Sequence, residues 1–257
     1  MPFDNVQKRL FLSRKGEGPM PGSAPEELLS AWLAHGTGGT CWAGSSALGA
    51  LLAACGFTVQ RTLATMSPGP HSKEPTHATL VVELDGQRLL VDHSTTNGVA
   101  LSLEGAARAG AVGGARIARG EGGETLFFWR PLHAPGEMPC RVDVVGASEQ
   151  AFQEGHEDTR AWGLFNPALY LRVARPEGIV GIVMGRRVVL RADGSVAARA
   201  LDVEGRVRVL VEDAGMSEEI ARNVPADEPL APPPGVPAER WAGMLAQMMA
   251  GLPPLTE

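Results

Sequence analysis

The sequence predicts an α+β fold, and three observations carry the prediction. Two apolar helical segments come first, short β-branched runs broken by Gly, Pro and Asp fill residues 57–165, and a proline-rich connector precedes a terminal helical pattern. With 257 residues and 44% hydrophobic composition the chain can bury a sizeable core.

The first helix signal is Ser23-Ala24-Pro25-Glu26, which has the form of a capping box with proline in the first turn. Leu28, Leu29, Trp32 and Leu33 give an apolar face, and Gly36 is the expected stop. A glycine-rich turn, Gly36-Thr37-Gly38-Gly39-Thr40, then delivers Cys41 to the start of a second helix. In that helix Leu48, Leu51, Leu52 and Cys55 recur at helical spacing before Gly56, so Cys55 is expected in the core.

The sharpest strand element is a hairpin from Thr76 to Ser94, turning at Asp85-Gly86. A two-residue turn there sets Leu84 opposite Gln87, Glu83 opposite Arg88 and Val82 opposite Leu89. Ala78, Leu80, Val82, Leu84, Leu89 and Val91 gather on one face, expected to be buried, while His77, Thr79, Val81, Leu90 and Asp92 share the other. Thr79 faces Asp92, which makes His77 the diagonal neighbour of Asp92, about 7 to 8 Å away between α-carbons. His93 falls on the opposite face, and His71 sits in the turn-like Ser67-Pro68-Gly69-Pro70-His71.

A thiol at a helix N-terminus, with an imidazole and a carboxylate paired on one hairpin, points to covalent acyl transfer: Cys41 as nucleophile, His77 as base and Asp92 as its orienter. The glycines let backbone approach an acyl group closely, and N–H groups at the helix start are placed to hold an oxyanion.

Charge and cysteine content narrow the class further. A net charge of -6 gives no footprint for nucleic acid, so small-molecule or carrier-bound substrates are expected. Cys41, Cys55 and Cys140 are too widely spaced for a zinc site or a disulfide framework, and no metal is expected. Neither a membrane-length apolar run nor a secretion signal is present, which leads us to expect a cytoplasmic protein with no membrane partner.

Gly105 to Gly123, with Arg108, Arg116 and Arg119, reads either as a basic phosphate-binding loop or as a hairpin connection, and Arg186-Arg187 reads as a solvated hairpin tip. After Pro229 to Pro237 comes a helix with Trp241, Met244, Leu245, Met248, Met249 and Leu252 at helical spacing. It is expected to pack over its own chain, with a dimer contact or a methionine-rich substrate wall as alternatives.

These residues resemble arylamine N-acetyltransferases. Pro2-Phe3-Asp4-Asn5, Gly38-Gly39-Thr40-Cys41, Cys55-Gly56-Phe57, His77-Ala78-Thr79-Leu80-Val81-Val82 and Leu90-Val91-Asp92 follow that family's order, with looser likeness in Phe165-Asn166-Pro167 and Glu212-Asp213-Ala214-Gly215-Met216. The resemblance implies a papain-like cysteine-triad fold: a helical segment (1–60) bearing Cys41, a central antiparallel β-barrel (61–165) bearing His77 and Asp92, and a C-terminal α/β lid (166–257) with the terminal helix. It also implies ping-pong transfer from acetyl-coenzyme A, as co-substrate rather than bound cofactor, to an arylamine-like amine. Because the chain opens at the Pro-Phe-Asp-Asn block, it is expected to be an N-terminally shortened, divergent member.

Departures accompany the matches. Thr37 replaces the family's arginine, Trp42-Ala43 replaces its aromatic-Glu pair, and His93-Ser94-Thr95-Thr96 replaces its Val-Gly-Phe-Gly after the aspartate. Two other acyl-transfer chemistries fit the same residues: an amide synthase fed by an acyl carrier protein, and a hydrolase or transglutaminase-like enzyme. A binding-only scaffold is the non-enzymatic alternative.

Overall fold

The computed structural model describes residues 1–68, 75–105 and 114–256. His71, Arg108 and part of the glycine-rich stretch around Arg108 lie outside the described residues.

The chain opens with strand β1 (Phe3–Asp4) and helices α1 (Val6–Ser13), α2 (Pro25–His35) and α3 (Cys41–Ala54). Helix α2 starts and stops where the sequence places it, with Pro25 in its first turn and Gly36 left-handed at φ 73°. The capping box does not form: Ala24 is the N-cap, and the Ser23 hydroxyl donates instead to the Met20 carbonyl at 2.7 Å. Leu28 is the buried residue of this helix, whereas Leu33 is 82% exposed. Helix α3 buries Cys41, Trp42, Ala43, Gly44, Ser45 and Ala47, then projects outward. Leu51 and Cys55 are therefore exposed, contrary to the core position that periodicity gave Cys55. Periodicity selects a face, but the angle at which a helix enters the core decides how many turns that face stays covered.

Seven antiparallel strands form the central sheet: β2 (Thr58–Met66), β3 (His77–Leu84), β4 (Gln87–Val91), β5 (Leu101–Ser102), β6 (Arg116–Arg119), β7 (Thr125–Trp129) and β8 (Met138–Val145). Their order is β5-β4-β3-β2-β8-β7-β6. The sheet curls into a nearly closed barrel, and Arg119 on one edge donates to the Leu103 carbonyl just beyond the other edge at 3.3 Å. The β3–β4 register is the one read from the Asp-Gly turn, from Leu84 opposite Gln87 to Leu80 opposite Val91. Asp85 and Gly86 have φ 51° and 73°, the pair of positive angles that a tight type I′ turn requires.

One expectation about this hairpin needs correction, because both faces are buried rather than one. Ala78, Leu80 and Val82 face α3, where Ser45 donates to the Ala78 carbonyl at 2.9 Å, while Val81 and Leu90 point into the barrel with Leu101, Phe127 and Cys140. Leu84, at the strand end, is exposed.

Helix α4 (Glu149–Asp158) leads from the barrel to a five-stranded antiparallel sheet, in which β9 (Leu171–Arg175), β10 (Gly178–Val183), β11 (Arg186–Arg191) and β12 (Val196–Ala200) follow β1 in spatial order. Strand β1 pairs with β9, Phe3 opposite Arg172, so the N-terminal segment is an edge strand of the C-terminal sheet. Helix α5 (Val203–Arg208), a π-helical turn (Val209–Asp213) and α6 (Glu218–Asn223) pack with α1 around Val6, Leu10, Leu171 and Ile182.

The Arg186-Arg187 pair is not a solvated tip. Met184 and Gly185 make that turn, Arg187 binds both oxygens of Asp213 at 2.7 and 3.1 Å, and Arg186 donates to the Pro253 carbonyl. Helix α7 (Ala238–Ala250) docks on its own chain. Trp241 is buried and donates to the Leu230 carbonyl at 3.0 Å, and Leu252 sits in the core beside the second sheet.

Candidate active site

The turn before α3 is gripped by β1. A Cβ on Gly38 would lie 1.8 Å from the Pro2 carbonyl oxygen, so only glycine permits the approach. The Gly38 N–H donates to Asp4 Oδ2 at 2.6 Å, the Asp4 N–H donates to the Gly39 carbonyl at 3.3 Å, and the other Asp4 oxygen accepts the Val6 N–H at 2.9 Å. Burial drives the Asp4 carboxyl up to about 6, against the downward pull of those two N–H donors. Among the described residues Asp4 has no arginine ion-pair partner, and Thr37, fully buried, accepts from the Gln7 amide at 3.2 Å. With threonine at residue 37, the buried Asp4 carboxylate is met by two backbone N–H groups and by the charge of the N-terminal amine.

Cys41 is the first residue of α3, and its N–H and those of Trp42 and Ala43 precede the first intrahelical bond, from Gly44 N–H to Thr40 O at 2.8 Å. His77 opens β3 and Asp92 follows the last residue of β4, and both are buried. His77 Nε2 and Asp92 Oδ2 are 2.7 Å apart, and His77 also hydrogen-bonds the Cys41 side chain, for which Nδ1 is the nitrogen left. Asp92 Oδ1 accepts the N–H groups of Ser94 at 2.8 Å and Thr95 at 3.1 Å. The three side chains chosen from sequence therefore form one hydrogen-bonded row.

Burial by itself lowers the His77 pKa, but the Asp92 carboxylate and Cys41 outweigh it and hold the imidazole at about 10. Burial likewise raises the Asp92 carboxyl, but the charge and hydrogen bond of His77, with Thr79 and the Thr95 N–H, bring it below the ordinary carboxylate value.

Three neighbours escaped the sequence reading. His93 lies in the turn after β4, and its Nε2 is 3.2 Å from the Gly39 carbonyl oxygen. Its ring occupies the space where a Cβ on Gly44 would stand, 1.9 Å from the imidazole, and burial holds its pKa at about 4. Lys8 is buried near Cys41 and donates to the Thr159 carbonyl and hydroxyl at 3.0 and 2.8 Å; burial brings its pKa down to about 8. Arg172, 1% exposed, lies over the Trp129 ring with 5.1 Å from its guanidinium carbon to the ring centroid. The amphipathic pattern of α1 carries no signal for a buried lysine, nor does the alternation of β9 for a buried arginine.

The remaining candidates for phosphate contacts are exposed but have partners within the chain. Arg116 pairs with Glu137 at 2.8 Å and stacks on Phe128, and Arg119 serves barrel closure. An apolar cavity of about 410 Å³ opens between the second sheet and α7. Its floor is Phe165, Tyr170, Val183 and Met184, from the same cluster that buries Cys41, and its outer wall is Leu245, Met248 and Met249.

An antiparallel barrel flanked by helices, with a cysteine at a helix start against a histidine and a carboxylate, is the arrangement of the papain-like fold. A family model described as N-acetyltransferase matches residues 23–104, the span that holds Cys41, His77 and Asp92. The matched span is about a third of the chain, and the solved structures it resembles are arylamine N-acetyltransferases. Among solved structures it resembles the Mycobacterium marinum arylamine N-acetyltransferase in complex with CoA, at 17% identity over 87% of each chain and a TM-score of 0.72. It also resembles the M. tuberculosis arylamine N-acetyltransferase, at 20% identity over 84% of this chain and 81% of that one, with a TM-score of 0.69. A third is a Bacillus cereus arylamine N-acetyltransferase with a Cys-His-Glu catalytic triad, at 14% identity over 84% of this chain and 86% of that one, with a TM-score of 0.67. At these identities the likeness establishes the fold. No curated protein matches the chain. No described helix is long and apolar enough to cross a membrane.

Proposed function

We propose that the chain is an N-acyltransferase that works by ping-pong transfer through Cys41, His77 and Asp92. The observation that carries the reading is the placement of His77, bonded on one nitrogen to Asp92 at 2.7 Å and on the other to Cys41. In the first half-reaction the Cys41 thiolate, paired with the His77 imidazolium, attacks the carbonyl of a thioester donor. The unbonded N–H groups at the start of α3 hold the oxyanion, and the departing thiolate takes its proton from His77, leaving acyl-Cys41 and a neutral imidazole. In the second, an amine attacks the acyl-cysteine and His77 takes its proton. Cys41 leaves as thiolate, and Asp92 keeps the imidazole in the required tautomer throughout.

Coenzyme A is the proposed donor carrier, supported by the N-acetyltransferase model and by the CoA held in the M. marinum relative. The proposed acceptor is an arylamine-like amine with a large apolar body, for which the methionine-walled cavity behind Tyr170 provides room. A reducing cytoplasm suits a mechanism that needs a free thiol.

Intact-mass spectrometry after incubation with acetyl-coenzyme A and with longer acyl thioesters, including carrier-protein mimics, tests the reading. The expected result is a single acyl adduct, absent from Cys41→Ala, that an added hydrophobic amine discharges. The reading is sunk if no thioester leaves an adduct on protein whose Cys41 still reacts with iodoacetamide. Adduct from the carrier mimic alone moves the donor to a carrier protein, and discharge by water alone makes the enzyme a hydrolase.

A further inference from the structure

Arg172 is a buried cation that forms no ion pair among the described residues. Burying a guanidinium without a carboxylate costs several kcal/mol unless its donors are fully occupied, so where those donors go is informative. The Nε–H is shared between the Thr95 carbonyl and the Thr96 hydroxyl, both at 2.9 Å. One terminal nitrogen donates to the Arg130 carbonyl at 3.1 Å, the Tyr170 hydroxyl is a further partner, and the guanidinium lies over Trp129. Three parts of the molecule meet here: β9 supplies Arg172, the end of β7 supplies Trp129 and Arg130, and the segment after Asp92 supplies Thr95 and Thr96.

That last segment is strained. Thr96 is β-branched and left-handed at φ 47°, a conformation that costs on the order of 1–3 kcal/mol and persists only where its surroundings impose it. It is also the segment whose Ser94 and Thr95 N–H groups hold Asp92 Oδ1. Arg172 takes the carbonyl and hydroxyl side of the turn, and Asp92 takes its amide side.

We propose that Arg172 is a positioning residue, clamping the strained 93–96 turn so that its N–H groups fix the Asp92 carboxylate against His77. The inference rests on the proposed triad and adds to it the group that holds this turn. It also explains a buried guanidinium on the lid sheet: lid and barrel must be in register for Asp92 to be aimed.

The charged and titratable groups around the row are Lys8 from α1, Asp4 from β1, His93 beside the Gly39 carbonyl, Cys140 from β8 and, through Arg172, His133 and Tyr170. All are unchanged in the variants below, so a difference between variant and wild type isolates the clamp.

The test is the alkylation of the full chain by iodoacetamide at pH 6 and pH 8, read by peptide mass spectrometry as the Cys41 to Cys55 ratio, with the exposed Cys55 as internal reference. A loosened fold raises access to Cys41 equally at both pH values, whereas a misaimed Asp92 weakens the imidazolium partner and depresses the ratio selectively at pH 6. For Arg172→Gln the pH 6 preference should fall about tenfold relative to pH 8, and for Thr96→Val, which removes one acceptor and leaves the charge buried as before, about threefold. Should Arg172→Gln fail to fold, Thr96→Val decides alone. A folded Arg172→Gln, or a Thr96→Val protein, with the wild-type preference overturns the clamp. If wild-type Cys41 reacts no faster than Cys55 at pH 6, the triad reading itself fails.

Discussion

At the scale of single residues, the row Cys41–His77–Asp92 was legible because two of its members lie on one hairpin. Local turn chemistry sets the register, and the register brings imidazole and carboxylate together with no knowledge of the rest of the fold. The third member was marked by glycines. Its contact with His77 depends on how α3 lies against β3, which no local rule specifies. Asp92→Asn is the sharpest residue-level test: the Ser94 and Thr95 N–H bonds to Oδ1 survive, but an amide presented to His77 Nε2 favours the wrong tautomer. Acyl transfer should fall by roughly 10³ to 10⁴-fold with the melting temperature nearly unchanged, measured by single-turnover decay of acyl-enzyme and by thermal denaturation. Arg172 was invisible at this scale, since its partners Thr95 and Arg130 are 77 and 42 positions away along the chain.

At the scale of elements, α3 shows how a helix serves two purposes. Apart from Trp42, which packs on Phe152, its first two turns bury small residues, Ala43, Gly44, Ser45 and Ala47, so that β3 on one side and the His93 ring on another can come close. The same composition made its amphipathic pattern weak, and the larger residues Leu51 and Cys55 fall where the helix has left the core. Gly44→Ala should displace His93 from its cradle and free the Gly39 carbonyl, costing about 1–3 kcal/mol in denaturant unfolding and slowing Cys41 chemistry. Wild-type stability in that variant would show that the ring relocates freely. The β3–β4 hairpin held its predicted register, but its second face could not be assigned, because alternation says which residues share a face and not what covers it.

For the whole molecule, buried titrating groups set the pH range of the fold. His93 and His133 are both held at about 4 by burial, below their ordinary 6.5, so their contribution is complete above pH 6.5 and is lost as the pH falls toward 4. Asp4, raised from 3.8 to about 6, works in the opposite sense, adding stability as the pH falls through that window. Two histidines displaced by roughly the same extent as one carboxyl outweigh it, so acidification should destabilise. His77, raised to about 10, holds its contribution below pH 6.5 and loses it as the pH rises toward 10. Thermal melts across pH 4 to 10 should therefore peak near pH 6.5, and His93→Gln, which keeps a donor for the Gly39 carbonyl, should flatten the acid limb. An acid limb unchanged in that variant would remove His93 from the account.

The sequence by itself placed α2, α3, the β3–β4 hairpin with its register and the pairing of His77 with Asp92, because each follows from turns, periodicity and spacing within a few tens of residues. Tertiary structure alone decided that β1 joins the distant C-terminal sheet, that the arginines at 116, 119, 186 and 187 have partners within the chain, that Cys55 is exposed, and that a buried guanidinium from the second sheet bonds the turn behind Asp92. Those outcomes depend on which surfaces meet across long chain separations, and burial and partner choice are properties of the packed molecule rather than of any segment of it.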